Sequence, residues 1–546
     1  MKKLPHSSLC GRALPTALAL LGALLAGPIG ATSNTDSASK ASLAPMLEAV
    51  WHARSPEEQR VAVDRVLTSG ADFETVVEAI RSHRFSTEVD TGRLLRTRTG
   101  RFHYILRVPE SYDPERSYPV RVFLHGGVSR PARQRDGSWW RDDDNLASED
   151  HITVVPVGWS TAMWWQANQT ENLAEILREL RRNYNTDENR VTLFGISDGG
   201  SGAYFQAFRA PDPWAAFVPF IGHPEVLANR AVGADGQMYV SNLTHRPILA
   251  INGGRDRLYP SRSVVPYVEL FRNAGVTMEF VDRPESGHSV AWWREEVPRI
   301  QRFLEDKPRD PLPDRVSWET ETTDRYQRFA WVEIEALGSV PGESDLDDPN
   351  TVTALPPTPT LGVTPESDKD GVRLGAVRQG SVADRAGLRR GDRLVEVSGR
   401  AIANMQDLGN ALGQHVAFGA AVEVVVERRR SRRTVTLRFP EAPPPPKPRR
   451  AFPRDEPSGK VVAERRGNHF QVQTRGVTRF ALLLSPDEVD FGQPIRVTTN
   501  GVEVFAGRIE PDLRTLLEHT AHDVDRTRLF AAQLVLDLTS ASGVPQ

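Results

Sequence analysis

The sequence predicts an α/β fold class: a doubly wound, mostly parallel sheet, with a small β/α domain and a β-rich C-terminal region beside it. Three observations lead there. Short apolar runs alternate with helical stretches between residues 101 and 304. Gly-containing turns follow several of those runs. Pro-rich segments then divide the rest of the 546-residue chain. Apolar strands alternating with helices are the pattern of a sheet buried on both faces.

The first residues stand apart. Lys2, Lys3 and Arg12 precede an uncharged apolar run over 13–26, which Gly27, Pro28 and Gly30 break before Ala31. That is the layout of a secretory signal peptide over 1–31, and the run is short for a membrane span. The expectation is an exported protein, periplasmic or extracellular. Its removal also takes away Cys10, the single cysteine, so no disulfide or thiolate metal site is expected in the mature chain. No later stretch approaches the ~20 apolar residues a spanning helix needs. A net charge of −3 with a pI near 6.5 gives no reason to expect nucleic acid or an anionic membrane as partner.

The elements follow in order. Residues 32–44 are rich in Ser, Thr and Ala and read as a flexible linker. Residues 45–85 read as helical, with Ser55-Pro56-Glu57-Glu58 opening one helix and Asp72 capping another. Together 32–95 form a linker and helical appendage. Strands are read at 104–106, 120–124, 152–157, 191–194, 217–221, 248–251 and 278–281, with helices at 172–183, 200–208 and 263–274. This α/β domain covers 96–306. Residues 314–350 and 459–546 read as strands again, with Asn500-Gly501 as a hairpin turn. Between them lie a small domain over 359–440 and a stiff Pro-rich linker over 441–453. The expectation is one β-rich domain made of 314–350 and 459–546, into which the small domain is inserted.

The chemistry centres on Gly195-Ile196-Ser197-Asp198-Gly199. An apolar strand leads into it and a helical stretch leads out. Glycines two before and two after the serine let neighbouring backbone pass a tight turn that exposes the hydroxyl. Asp256 follows the next apolar strand but one, and His288 follows the strand after that, so Ser197, Asp256 and His288 come in the chain order nucleophile, acid, histidine. Asp282 is a competing acid. His125-Gly126-Gly127 ends an early strand, and backbone amides there, at Gly126 and Gly127, with the amide of Asp198, can form an oxyanion hole. Trp159, Trp164, Trp165 and His223 are candidate pocket residues.

With these motifs the chain over about 101–304 resembles the α/β-hydrolase superfamily, especially bacterial esterases and prolyl-oligopeptidase-like peptidases. The resemblance implies that Ser197 attacks a carbonyl, His288 moves the proton and Asp256 orients His288, through an acyl-enzyme. An ester and a peptide substrate remain equally open. No cofactor or metal is implied.

Residues 380–399 carry turn glycines at Gly380, Gly387, Gly391 and Gly399, spaced between apolar positions, and a helical run follows over 405–412. This stretch resembles a bacterial PDZ domain. The resemblance implies that amides near Leu361, Gly362 and Val363 hold a peptide C-terminal carboxylate while the next strand pairs with the peptide. Arginines 428–430, 432 and 433 read as a solvated hairpin tip. The competing function is a non-catalytic scaffold that presents this module to a partner.

Overall fold

The computed structural model describes residues 33–85, 89–99, 102–132, 139–140, 146–357, 359–368 and 371–539. The leader read in residues 1–31 lies outside the described residues.

Three helices come first: α1 (Ser33–His52), α2 (Pro56–Leu67) and α3 (Phe73–Ser82). Ser55 caps α2 by accepting the amide of Glu58, and Asp72 caps α3 by accepting that of Thr75. Each cap satisfies an amide that the first helical turn leaves without a partner. Residues 33–44 belong to α1, which corrects the flexible-linker expectation. Composition at that end signalled a linker, but burial of Leu43, Leu47, Val50 and Trp51 a turn or more further on stabilises the helix. Their partners are distant in sequence: Leu516 and Leu517 of the helix Leu513–Asp523 share the same apolar cluster.

The eight-stranded sheet follows. Its strands are β1 (Gly92–Arg98), β2 (Phe102–Val108), β3 (Tyr118–Leu124), β4 (Ile152–Pro156), β5 (Thr186–Ile196), β6 (Ala216–Phe220), β7 (Ile248–Gly253) and β8 (Met278–Arg283). Their spatial order is β1-β2-β4-β3-β5-β6-β7-β8. The ladders of β1 with β2 and of β2 with β4 are antiparallel, and all the others are parallel. Side chains alternate across the sheet. Val120, Val122 and Leu124 enter one apolar cluster with residues of α4 (Ala167–Asn183), α5 (Asp198–Arg209) and α6 (Ser261–Asn273). Phe123 and Phe194 enter the other with Ile300 and Phe303 of α7 (Trp293–Glu305). Both faces are covered, as a parallel sheet requires.

Beyond α7, two sheets enclose a further core. One has five strands in the order Val502–Gly507, Ile495–Thr499, His469–Arg475, Gly459–Arg466, Arg315–Thr320. The other runs Arg328–Phe329, Val332–Leu337, Val477–Leu484, Ala532–Asp537. Strand Arg315–Thr320 thus pairs with Gly459–Arg466, and Val332–Leu337 with Val477–Leu484, so segments on either side of the small domain share one core. The small domain itself is a six-stranded sheet with the helix Met405–His415. Its two connections meet as a short antiparallel pair, Thr351–Val352 with Arg449–Arg450. Val352, Ala451 and Phe452 are buried in the main apolar cluster, where Phe452 lies against Phe208 and Tyr267.

Arg428 corrects the reading of a uniformly solvated hairpin tip. It grips the buried Asp392 by two bonds, Nε to Oδ1 at 2.6 Å and Nη2 to Oδ2 at 2.7 Å. Arg429 and Arg430, at φ 52° and 65°, form the turn itself.

Buried histidines make stability depend on pH, His83 and His151 among them. His83 sits edge-on to Trp51 and Phe85, and burial, with Arg526 nearby, lowers its pKa to about 4. Burial, with Arg121 nearby, lowers that of His151 to about 3. Both values lie below the unfolded value near 6.5, so the stabilisation is complete above that pH and is lost as the pH falls. Denaturant titrations at pH 7 and pH 5 should differ by about 3–4 kcal/mol from these two groups. Replacing both with Gln should remove that share of the difference and leave the share of His245 and His519, whose pKa values burial also lowers.

Candidate active site

β5 passes into α5 through Ser197, which has φ 58° and ψ −116°. A non-glycine residue in that region carries strain of about 1–3 kcal/mol, and the tight turn holds it there. The turn is possible only because its neighbours lack side chains. A Cβ on Gly195 would stand 1.9 Å from the carbonyl oxygen of Gly199, and one on Gly199 would stand 2.0 Å from that of Leu124. The result lifts the Ser197 hydroxyl above the C-terminal edge of the parallel strands, where such sheets bind ligands.

Two loops meet it there. Asp256 lies just beyond β7 and is buried. Its Oδ1 accepts the amides of Leu258 at 2.8 Å and Tyr259 at 3.0 Å. Its Oδ2 lies 2.8 Å from Nδ1 of His288, which follows β8. His288 Nε2 is 2.8 Å from Ser197 Oγ. With Nδ1–H donating to the carboxylate, Nε2 is left as acceptor for the hydroxyl proton. The competing acid Asp282 is exposed on β8 and stands apart from this relay.

The loop after β3 closes the site. A Cβ on Gly126 would stand 3.0 Å from Ser197 Cβ and 3.5 Å from its Oγ, so only glycine backbone comes this close. Gly127 follows at φ 73°. Gly126 thus lies against the nucleophile, and Asp198 follows it at the start of α5. The loop is pinned at three points. Trp164 Nε1 donates to the His125 carbonyl at 2.8 Å. His125 Nδ1 donates to the Gly126 carbonyl at 2.8 Å, while its Nε2 accepts the Gly158 amide at 3.0 Å. The Val128 amide donates to Asp198 Oδ2 at 2.9 Å.

The expected aromatic pocket takes a different form. Trp159, Trp164 and Trp165 are all buried and spend their indole N–H groups on Thr161 Oγ1, the His125 carbonyl and the Val232 carbonyl. They support loops rather than face open space. His223 is buried too. Its Nδ1 accepts the Glu225 amide, Nε2 pairs with Ser263 Oγ at 3.1 Å, and burial lowers its pKa. Beside the relay stands Tyr259, whose ring centroid is 5.8 Å from that of His288, and Leu258, whose amide bonds Asp256, is 63% exposed. Sequence reading missed both. The available signal was their place immediately after Asp256.

In the small domain, Leu361, Gly362 and Val363 lead into the edge strand Val363–Asp368. Leu361 is buried, and its carbonyl accepts the Ala383 amide at 3.0 Å. Gly362, at φ 73°, lies so close to Ser381 that a Cβ there would stand 2.3 Å from Ser381 Cβ.

Among the described residues, no group of three or more His, Cys, Asp or Glu side chains is arranged to hold a metal ion, and no helix is long and apolar enough to cross a membrane.

Comparison with known proteins gives three kinds of likeness. Residues 374–428 match the family model of the PDZ domain. Over 159 residues the chain is 27% identical to a bifunctional acetylxylan esterase/xylanase of Neocallimastix patriciarum, covering 28% of this chain and 22% of that protein. The chain therefore spans about a fifth of that relative's length. Among solved structures, esterase 2 of Thermogutta terrifontis, phosphorylated by paraoxon, is 14% identical at a TM-score of 0.32, covering 40% of this chain and 96% of its own. The acylaminoacyl peptidase of Pyrococcus horikoshii is 16% identical at a TM-score of 0.31, covering 44% of each chain. At these scores the fold of the large domain stands on its own sheet order and on the serine at the β5–α5 turn. Residues 374–428 thus belong to a PDZ domain, carried by a chain whose large domain has the α/β-hydrolase fold.

Proposed function

We propose that this protein is an exported serine hydrolase that cleaves an ester or peptide bond through an acyl-enzyme on Ser197. One observation carries the reading: the continuous relay Ser197 Oγ, His288 Nε2, His288 Nδ1, Asp256 Oδ2, with both hydrogen-bonded gaps at 2.8 Å. Ser197 Oγ attacks the carbonyl carbon while its proton passes to His288 Nε2. The buried Asp256 carboxylate stabilises the imidazolium and is itself fixed by two backbone amides. The amides of Asp198 and of the Gly126–Gly127 segment receive the negative charge on the carbonyl oxygen. His288 then gives its proton to the leaving oxygen or nitrogen, and water enters by the same steps in reverse to release the acid.

The likeness to a bifunctional acetylxylan esterase/xylanase favours esters as the first class to assay. The exposed Leu258 beside Asp256 fits an apolar part of such a substrate. The PDZ domain would take a peptide C-terminus at 361–363, with the edge strand Val363–Asp368 adding the peptide to its sheet. Export rests on the leader read in residues 1–31. The direct assay sets 4-nitrophenyl acetate against an N-acyl amino-acid 4-nitroanilide, with Ser197→Ala as control. Turnover of either by the wild type alone supports the reading and names the bond. Equal rates for both proteins, or none, would overturn it.

A further inference from the structure

Asp198 follows the serine and is the first residue of α5. Its amide belongs to the oxyanion site, but its side chain does something separate. The carboxylate reaches across to the loop after β3 and accepts the Val128 amide at 2.9 Å. Val128 is fully buried, and Gly127 before it has φ 73°. The two glycines provide no side-chain packing to set their position, and glycine backbone is the most freely moving kind. His125 fixes the N-terminal side of the pair through its bond to the Gly126 carbonyl. Asp198 fixes the C-terminal side.

We propose that the Asp198 carboxylate is a positioning residue that fixes the oxyanion loop against the nucleophile turn, so that Ser197 and the amides of Gly126 and Gly127 keep one mutual geometry. The inference rests on the serine-hydrolase reading above. It assigns the side chain a role that charge alone would not favour. A carboxylate near a developing oxyanion opposes it electrostatically, so what the side chain contributes is its acceptor oxygen, not its charge. Asparagine keeps that acceptor and loses the charge, whereas alanine loses both. A plain role at the start of α5 makes a different prediction, because negative charge near a helix N-terminus acts on stability.

The experiment compares wild type, Asp198→Ala, Asp198→Asn and Ser197→Ala on 4-nitrophenyl acetate, with thermal unfolding of each. The expected result is a fall in kcat of about 10- to 100-fold for Asp198→Ala with KM little changed, the scale of a misplaced oxyanion donor. Asp198→Asn should restore kcat to within about threefold of wild type, because its amide oxygen can accept the same N–H. An Asp198→Ala protein with wild-type kcat overturns the proposal. So does a loss in both variants alike, which would assign the effect to charge, and so does a kcat loss that only tracks a lower unfolding temperature. Wild type no faster than Ser197→Ala removes the hydrolase reading and the proposal with it, a result distinct from all the others.

Discussion

Ser197→Ala and His288→Ala should each reduce hydrolysis by about four to six orders of magnitude, and the double variant should be no worse than either alone. The reason is the shared relay. Ser197 Oγ is a weak nucleophile until Nε2 of His288, 2.8 Å away, takes its proton. Without the imidazole the hydroxyl does not attack, and without the hydroxyl the imidazole has nothing to activate. The two losses therefore describe one event and do not add. The residual rate would come from the oxyanion amides acting on bound substrate. Asp256→Asn should lose less, because an amide oxygen still accepts from Nδ1–H in one orientation, whereas the other orientation favours the wrong tautomer. Steady-state kinetics of the single and double variants decide the matter. An additive loss would mean that Ser197 and His288 act independently.

The largest effect on stability is expected at Asp525. Its side chain and that of Arg309 are both fully enclosed, with Nη2 of Arg309 2.7 Å from Oδ2. Arg181 of α4 stands 3.8 Å from the same oxygen. Thr527 donates to Oδ1 through its backbone amide and its hydroxyl. Burial by itself would raise the Asp525 carboxyl, but Arg309, Arg181 and Arg528 hold it below the usual carboxylate range. Arg309 lies just past α7, whereas Asp525 follows the helix Leu513–Asp523, so the pair joins segments 216 residues apart. Asp525→Ala leaves Arg309 charged, buried and without its carboxylate. A loss of about 3–5 kcal/mol is expected, read as a shift in the denaturant midpoint. Arg309→Met with Asp525→Leu should recover only part of it, because it removes the charge of Arg309 but still leaves the buried Arg181 without Asp525. A double variant as unstable as Asp525→Ala would place the effect at Arg181 or in packing, not at Arg309.

The parts legible in the sequence are those governed by local rules. Strands β3 to β7 show as apolar runs because both faces of the sheet are buried there, and a glycine on each side of Ser197 is required by the turn it sits on. Ser55 and Asp72 mark helix starts through single hydrogen bonds to nearby amides. The parts that were missed depend on partners far along the chain. β1 reads Gly-Arg-Leu-Leu-Arg-Thr-Arg, lies at the sheet edge with alternate residues exposed, and so lacks an apolar run. The start of α1 looks like a linker, and the helix Leu513–Asp523 that packs with it lies more than four hundred residues away. The tryptophans after β4 announce an aromatic site by composition, yet the indole nitrogens of Trp164 and Trp165 hold backbone carbonyls and that of Trp159 holds the Thr161 hydroxyl. The Asp198 carboxylate escaped notice because its partner, Val128, belongs to a loop seventy residues earlier. Arg428 looked solvated in a run of arginines, and only the fold brings it to Asp392.

The most direct test of the central claim is covalent. Purified mature protein is treated with a fluorophosphonate under native conditions beside Ser197→Ala, and the modified peptide is located by mass spectrometry. The account predicts one adduct per chain, on Ser197, absent from Ser197→Ala and abolished by prior denaturation. No adduct on folded wild type, or an adduct that persists in Ser197→Ala, would contradict it.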